Sequence, residues 1–377
     1  MPGLLPNLDP DGLLEYSVVY TDRALNHMSK SFQAVMCDVS AALKRVYGAS
    51  AVAIVPGSGT FGMEAVARQF ATDRHCLVIR NGFFSYRWSQ IFEMGSIPSA
   101  ATVLKARQVT AEPTAPFAPA PIDEVVATIA AERPGVVFAP HVETSSGMLL
   151  GDDYLRAVAT AVHEYGGLFV LDCIASGCAW VDMQALGVDV LISAPQKGWS
   201  GTPCCGLVML GERAVDALGN TTSTSFACDL GKWLQIMQAY EAGGHAYHAT
   251  MPTDGIRTLQ QVMAETEAFG LDAAQTAQFD LGTRVRALLS ERGFASVAAP
   301  GFEAPGVVVS YTGDPDIHNG SKFAGLGLQI AAGVPLQCDE PADFRTFRIG
   351  LFGLDKLQNV DRTVDSLQNA LDQLVSS

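Results

Sequence analysis

The chain is predicted to be an α/β protein: a large domain with a mostly parallel sheet between helices, followed by a smaller C-terminal α+β domain. Three observations predict it. Short apolar runs of strand length alternate with segments whose apolar residues recur at three- and four-residue steps, the order that a parallel sheet with crossover helices produces. Beyond Leu210 that alternation gives way to long helical stretches with isolated strand-like runs between them. At 377 residues and 48% hydrophobic content, the chain is too long for one ordinary core and apolar enough to bury a large sheet. The expected division is an N-terminal segment, residues 1–25, a large domain, 26–275, and a small domain, 276–377.

Taken in order, Met28 to Tyr47 places Phe32, Val35, Met36, Val39, Leu43 and Val46 on one helical face, with Gly48 as the stop. Ala51 to Val55 reads as a strand. It runs into the turn Gly57-Ser58-Gly59-Thr60-Phe61-Gly62 and then a helical pattern from Ala65 to Phe70. The expected elements that follow are a strand Cys76–Ile79, a helix Ser85–Glu93, a strand Thr102–Leu104, a helix Ile122–Glu132, a strand Val136–Ala139, a helix Asp152–Tyr165 and strands Leu168–Asp172, Val188–Ser193 and Gly206–Leu210. Residues 110–121, with four prolines among alanines, read as a surface connection. Helical stretches Leu230–Glu241 and Gly255–Arg292 come next, then a strand Val307–Tyr311, a helix Asn319–Ile330, a strand Thr346–Leu351 and a closing helix Asp355–Val375.

With 24 basic against 39 acidic residues, the net charge of -15 argues against nucleic acid or an anionic membrane as partner. The eight cysteines lack the paired spacing of a zinc site and read as reduced, small core residues. The opening residues carry no basic segment and no apolar run of signal-peptide or membrane-span length, so a cytoplasmic location is expected.

Chemistry is concentrated around Ser193-Ala194-Pro195-Gln196-Lys197-Gly198-Trp199. Lys197 is the only charged residue between Asp189 and Glu212 and follows an apolar strand. A lysine at such a strand mouth is partly desolvated. Desolvation lowers an ammonium pKa, so the amine can attack a carbonyl and form a Schiff base. Asp172 ends the upstream strand Leu168–Asp172, and both groups then open onto the carboxyl ends of strands in one sheet. The glycine-rich turn opens a helix whose free N–H groups suit an anion such as a phosphate. Spelled G-x-G-x-x-G through Gly57, Gly59 and Gly62, that turn also fits an NADP-dependent oxidoreductase, with Arg80 receiving the extra phosphate.

The phosphate turn, the strand-end Asp172 and the Gln196-Lys197 pair, in that order, resemble the class V aminotransferases, within fold type I of the pyridoxal-phosphate enzymes. The likeness is strongest to the alanine-glyoxylate and serine-pyruvate aminotransferase group and runs over nearly all of the chain after about residue 20. It implies pyridoxal 5'-phosphate on Lys197, with Ser58, Gly59, Thr60 and Gln196 at its phosphate. Asp172 would pair with the pyridine nitrogen and Ile174 would pack on one ring face. Asn81-Gly82-Phe83-Phe84-Ser85-Tyr86-Arg87 matches the segment that stacks an aromatic ring on the cofactor, and Phe84 falls where the family often has tryptophan. His141-Val142-Glu143-Thr144-Ser145-Ser146-Gly147 is similar to the family's His-Gly-Glu-Ser-Ser-Thr-Gly stretch, which puts Thr144 near the cofactor. His141 itself reads as a hydrogen-bonded structural residue.

The resemblance further implies a homodimer, in which Tyr247 and Thr250 reach the neighbour's cofactor phosphate, and a carboxylate clamp at Arg348. Arg345 is the control on the other strand face. The family's usual Pro-Gly-Pro opening is reduced here to Pro2-Gly3-Leu4. With Arg348 as a single clamp, and Val142 and Thr144 narrowing the wall, the expected donor is a small amino acid of the alanine or serine type and the acceptor glyoxylate or pyruvate. A phosphonate or sulfonate amine could use the same arginine. A lyase or desulfurase built on the same cofactor shares all of these features.

Overall fold

A computed structural model describes residues 13–376; the Pro2-Gly3-Leu4 opening lies outside the described residues. A seven-stranded sheet runs through the part of the chain between residues 51 and 210. Its strands are β1 (Ala51–Pro56), β2 (His75–Arg80), β3 (Ala100–Lys105), β4 (Val136–Pro140), β5 (Leu168–Asp172), β6 (Val190–Ser193) and β7 (Cys205–Leu210). They lie in the order β1-β7-β6-β5-β4-β2-β3. From β6 through to β3 all pairings are parallel, and β7 runs antiparallel to both of its neighbours. Strands β4 to β7 are buried along their whole length, because helices cover both faces of the sheet; this is why their sequences are continuous apolar runs rather than alternating ones.

Parallel register brings five strand ends to one edge. Ile192 pairs with Asp172 and Asp172 with Pro140, so the loops leaving β4, β5 and β6 stand side by side. The turn after β1 joins them across β7, where Pro56 pairs with Cys205.

Most expected elements are present, with shifts of a few residues at their ends, and four expectations are corrected. The stretch from Gly255 to Arg292 is two helices, Thr253–Phe269 and Leu271–Glu291. They break at Gly270, whose φ of 102° only glycine adopts without strain. Apolar spacing continues on both sides of that residue, which hid the break. Of the helix expected over 319–330 only Ser321–Gly325 forms, with a separate short helix, Pro315–His318, ahead of it, because Gly320, Gly325 and Gly327 interrupt the apolar face. The closing helix is divided at Asn359 into Leu354–Gln358 and Val360–Ser376. Residues 110–121 are not wholly a surface connection: Ala115 and Phe117 are buried, and Phe117 N–H donates to the Val297 carbonyl at 2.7 Å.

The C-terminal part carries a small antiparallel sheet of β8 (Val307–Tyr311), β9 (Ala331–Ala332) and β10 (Thr346–Gly350), with β10 central. One apolar cluster surrounds the seven-stranded sheet, and another joins the Leu271–Glu291 helix to β10 and the closing helices. Among the described residues no helix is long and apolar enough to cross a membrane. All eight cysteines are free, and six of them are buried.

Candidate active site

The strand ends surround a cleft that brings together Ser58, Gly59, Thr60, Phe84, Thr144, Asp172, Ile174, Gln196 and Lys197. Each is placed by its local backbone. Ser58 is the extended residue before the Gly59–Phe70 helix, and its hydroxyl makes no capping bond, so both it and the first N–H groups of the helix are unspent. Gly59 has no room for a side chain: a Cβ there would lie 2.6 Å from Cδ1 of Ile174. Gly62, the third glycine of the motif, lies within the helix, where a Cβ would come to 3.2 Å from Ile192; it serves close packing of helix on sheet.

Phe84 opens the Phe83–Gly95 helix, and the group that secures it is Glu143, which is completely buried. The Glu143 carboxylate accepts from Phe84 N–H (3.2 Å), Ser85 N–H (2.8 Å), Ser85 Oγ (2.7 Å), Ser145 N–H (3.1 Å) and Ser145 Oγ (2.7 Å). A buried carboxylate with this many donors at a helix N-terminus is well compensated. Next to it His141 Nδ1 lies 2.7 Å from Ser176 Oγ, and burial pushes its pKa down to about 4; this neutral, bonded imidazole matches the structural reading.

Asp172 is 7% exposed. Its Oδ1 accepts the Ile174 N–H at 2.9 Å. Burial pushes its pKa up to about 6, with Glu143 adding to the rise and Lys197 and Arg87 opposing it. Burial also lowers the Lys197 ammonium below its ordinary value; Asp172 works against that shift, and Arg348 reinforces it. Lys197 Nζ lies between two aromatic rings, 5.9 Å from the centre of Phe84 and 5.4 Å from that of Phe352. Its loop is closed by Ser200, whose Oγ accepts the Leu354 N–H at 2.7 Å and so ties the lysine to the C-terminal part of the chain.

Arg348 sits mid-strand on β10. Its Nε donates to the Ala332 carbonyl at 2.8 Å, and the guanidinium carbon stands 5.6 Å from the centre of the Phe84 ring. Arg345 is exposed and donates to the Gly313 carbonyl at 2.9 Å. Tyr247 and Thr250 are not brought into the cleft of their own chain; they are exposed and their hydroxyl oxygens lie 3.2 Å apart. Three participants escaped the sequence reading, namely Glu143, Phe352 and Arg87. Arg87 lines the cleft, so Arg348 is not its sole arginine. The signal for Arg87 was its helical spacing from Phe84.

Arg80 is spent inside the fold. Its guanidinium donates to the Gln337 carbonyl (3.1 Å) and Ser89 Oγ (2.7 Å) and stacks on Tyr86, which removes it from any nucleotide phosphate and corrects the oxidoreductase reading.

The remaining groups fit pyridoxal phosphate. The Ser58 hydroxyl and the helix N-terminus are open to an anion, and a desolvated lysine stands with a buried carboxylate. Fold and cleft together define a pyridoxal-phosphate-dependent enzyme of fold type I. The family model for aminotransferase class-V matches residues 13–312, and the chain belongs to that family. It is similar to a 2-aminoethylphosphonate–pyruvate transaminase of Vibrio cholerae, at 27% identity over 84% of this chain and 83% of the relative. It is also similar to an alanine–glyoxylate aminotransferase of Rattus norvegicus, at 24% identity over 93% and 82% of the two chains. Among solved structures, an alanine–glyoxylate aminotransferase from Nostoc superposes with a TM-score of 0.78 at 19% identity, covering 93% of this chain and 89% of that one. The protein is a pyridoxal-phosphate-dependent aminotransferase.

Proposed function

We propose that this aminotransferase moves an amino group from a small donor of the alanine or serine type to glyoxylate or pyruvate, with Lys197 as the catalytic base. The observation that carries this reading is the pairing of a lowered Lys197 amine with the Arg348 guanidinium at the same Phe84 ring, where a small amino acid can meet both. Bound pyridoxal phosphate supplies a carbonyl for the amine and an electron sink for the bond broken at the donor's α-carbon. Ser58, Gly59, Thr60 and Gln196 would hold its phosphate, Asp172 its ring nitrogen, and Phe84, Thr144 and Ile174 its ring. Lys197, once neutral, takes the proton from the donor α-carbon and would deliver it to the cofactor's former carbonyl carbon, on the far side of the donor nitrogen. Arg348 binds the donor's acid group through its planar fork. Glu143 keeps Phe84 in place, and Phe84 with Phe352 excludes water from the amine.

A second reading, 2-aminoethylphosphonate as donor, is favoured by the Vibrio cholerae relative. Single donors mixed with the lysine-linked cofactor decide between them: the visible spectrum converts with alanine or serine on the first reading, and with 2-aminoethylphosphonate alone on the second. Glutamate is expected to convert it slowly or not at all. Arg348→Ala should weaken the donor's apparent affinity by roughly 10- to 100-fold, the value of hydrogen bonds to a charged group, while Arg345→Ala leaves it unchanged. The reverse result would identify Arg345 as the clamp.

The working unit on this reading is a homodimer. Tyr247 and Thr250 lie outside their own cleft with unspent hydroxyl capacity, and Phe226 beside His248 is 78% exposed, both of which support contact with a second copy. Changing Tyr247 to Phe together with Thr250 to Ala should weaken cofactor retention in a protein that sediments as a dimer. A fully active monomer would refute this part alone. The division at residues 275/276 belongs to the same proposal and is supported by the cluster around the seven-stranded sheet, whose buried members all precede it.

A further inference from the structure

Arg87 enters the cleft one helical turn beyond Phe84, and its guanidinium carbon stands 4.8 Å from the centre of the Phe84 ring. Its Nη1 donates to Thr60 Oγ1 at 3.0 Å. A guanidinium has no acceptor, so Thr60 must accept, and the single proton of its hydroxyl is left for another partner. Arg87 thereby orients a hydroxyl of the glycine-rich turn.

The groups assigned to the phosphate in this chain, Ser58, Gly59, Thr60 and Gln196, are all neutral, as are Tyr247 and Thr250 from a second copy. A helix N-terminus contributes about half a positive charge, whereas a phosphate monoester carries roughly -1.5 to -2 at neutral pH. Of the cations at the cleft, Lys197 is the reacting amine, and Arg348 is bonded to β9 and acts on Lys197 more strongly than Arg87 does. Arg87 is the cation in direct contact with the turn.

We propose that Arg87 is the cation of the cofactor-phosphate subsite, where it aims the Thr60 hydroxyl at the phosphate and balances its charge. This inference rests on the reading that Ser58, Gly59 and Thr60 form that subsite.

The test is the dissociation constant of pyridoxal phosphate, and of pyridoxal, which lacks the phosphate, measured by equilibrium dialysis of the full-length enzyme. Arg87→Met should weaken pyridoxal phosphate roughly tenfold or more while pyridoxal binds as before. Arg87→Lys, which keeps the charge, should recover part of the loss. Equal weakening of both compounds would make Arg87 a prop for the Phe84 ring and overturn the proposal. Unchanged pyridoxal phosphate affinity with a raised KM for the donor would move Arg87 to the substrate end and overturn it as well. Ser58→Ala separates the two levels of the argument. If it weakens pyridoxal phosphate and Arg87→Met does not, only the role of Arg87 falls; if neither does, the assignment of the turn falls with it.

Discussion

Lys197→Ala is expected to abolish both turnover and the visible absorption band that a lysine-linked cofactor gives and borohydride bleaches. The loss should amount to several orders of magnitude, because the substitution removes the covalent anchor and the proton-transfer base in one step. Desolvation prepares this amine: Lys197 is largely enclosed, and the Phe84 and Phe352 rings border its Nζ. The variant protein should still fold, since no hydrogen bond of the described residues depends on the lysine side chain and its loop is closed through backbone groups and Ser200. Retained turnover at more than a small fraction of the wild-type rate would take Lys197 out of the chemistry.

Asp172→Asn is expected to leave the visible band in place and to cut kcat by several orders of magnitude. The carboxylate is what keeps a ring nitrogen protonated, and an amide cannot stabilise that charge. A stability effect accompanies it. In the chain stripped of cofactor, burial raises the Asp172 pKa from 3.8 to about 6. A carboxyl whose folded value is raised contributes stability that is fully present below about pH 4 and is lost as pH rises through about 6. Neutral, buried His141, whose pKa is lowered to about 4, acts in the opposite sense over the same range, so the readout is the difference between two proteins: relative to Asp172→Asn, the thermal midpoint of the cofactor-free wild type should fall as pH rises from about 4 to 6. An identical pH profile in the two proteins would show that the Asp172 pKa is the same in the folded and the unfolded chain.

These two residues also show how far the sequence could be read. Apolar runs ending in Asp172 and leading to Lys197 mark the strands because buried parallel strands have no polar face, and the glycine turn after β1 is visible because few other residues fit there. Periodicity could not show where a helix stops when its apolar spacing continues past a glycine, as at Gly270.

By itself the sequence determined the local pattern: an alternating α/β large domain, the order of the phosphate turn, aspartate and lysine, and the family these resemble. Only the tertiary structure decided which side chains face one another. Glu143 and Ser85 are far apart in sequence and lie 2.7 Å apart in space, while Arg87 reaches Thr60 and Arg80 turns away to Gln337. The physical reason is that spacing along a chain constrains only residues on the same element. The meeting of five strand ends at one edge depends on register and on helix packing, which are set by burial of the whole sheet.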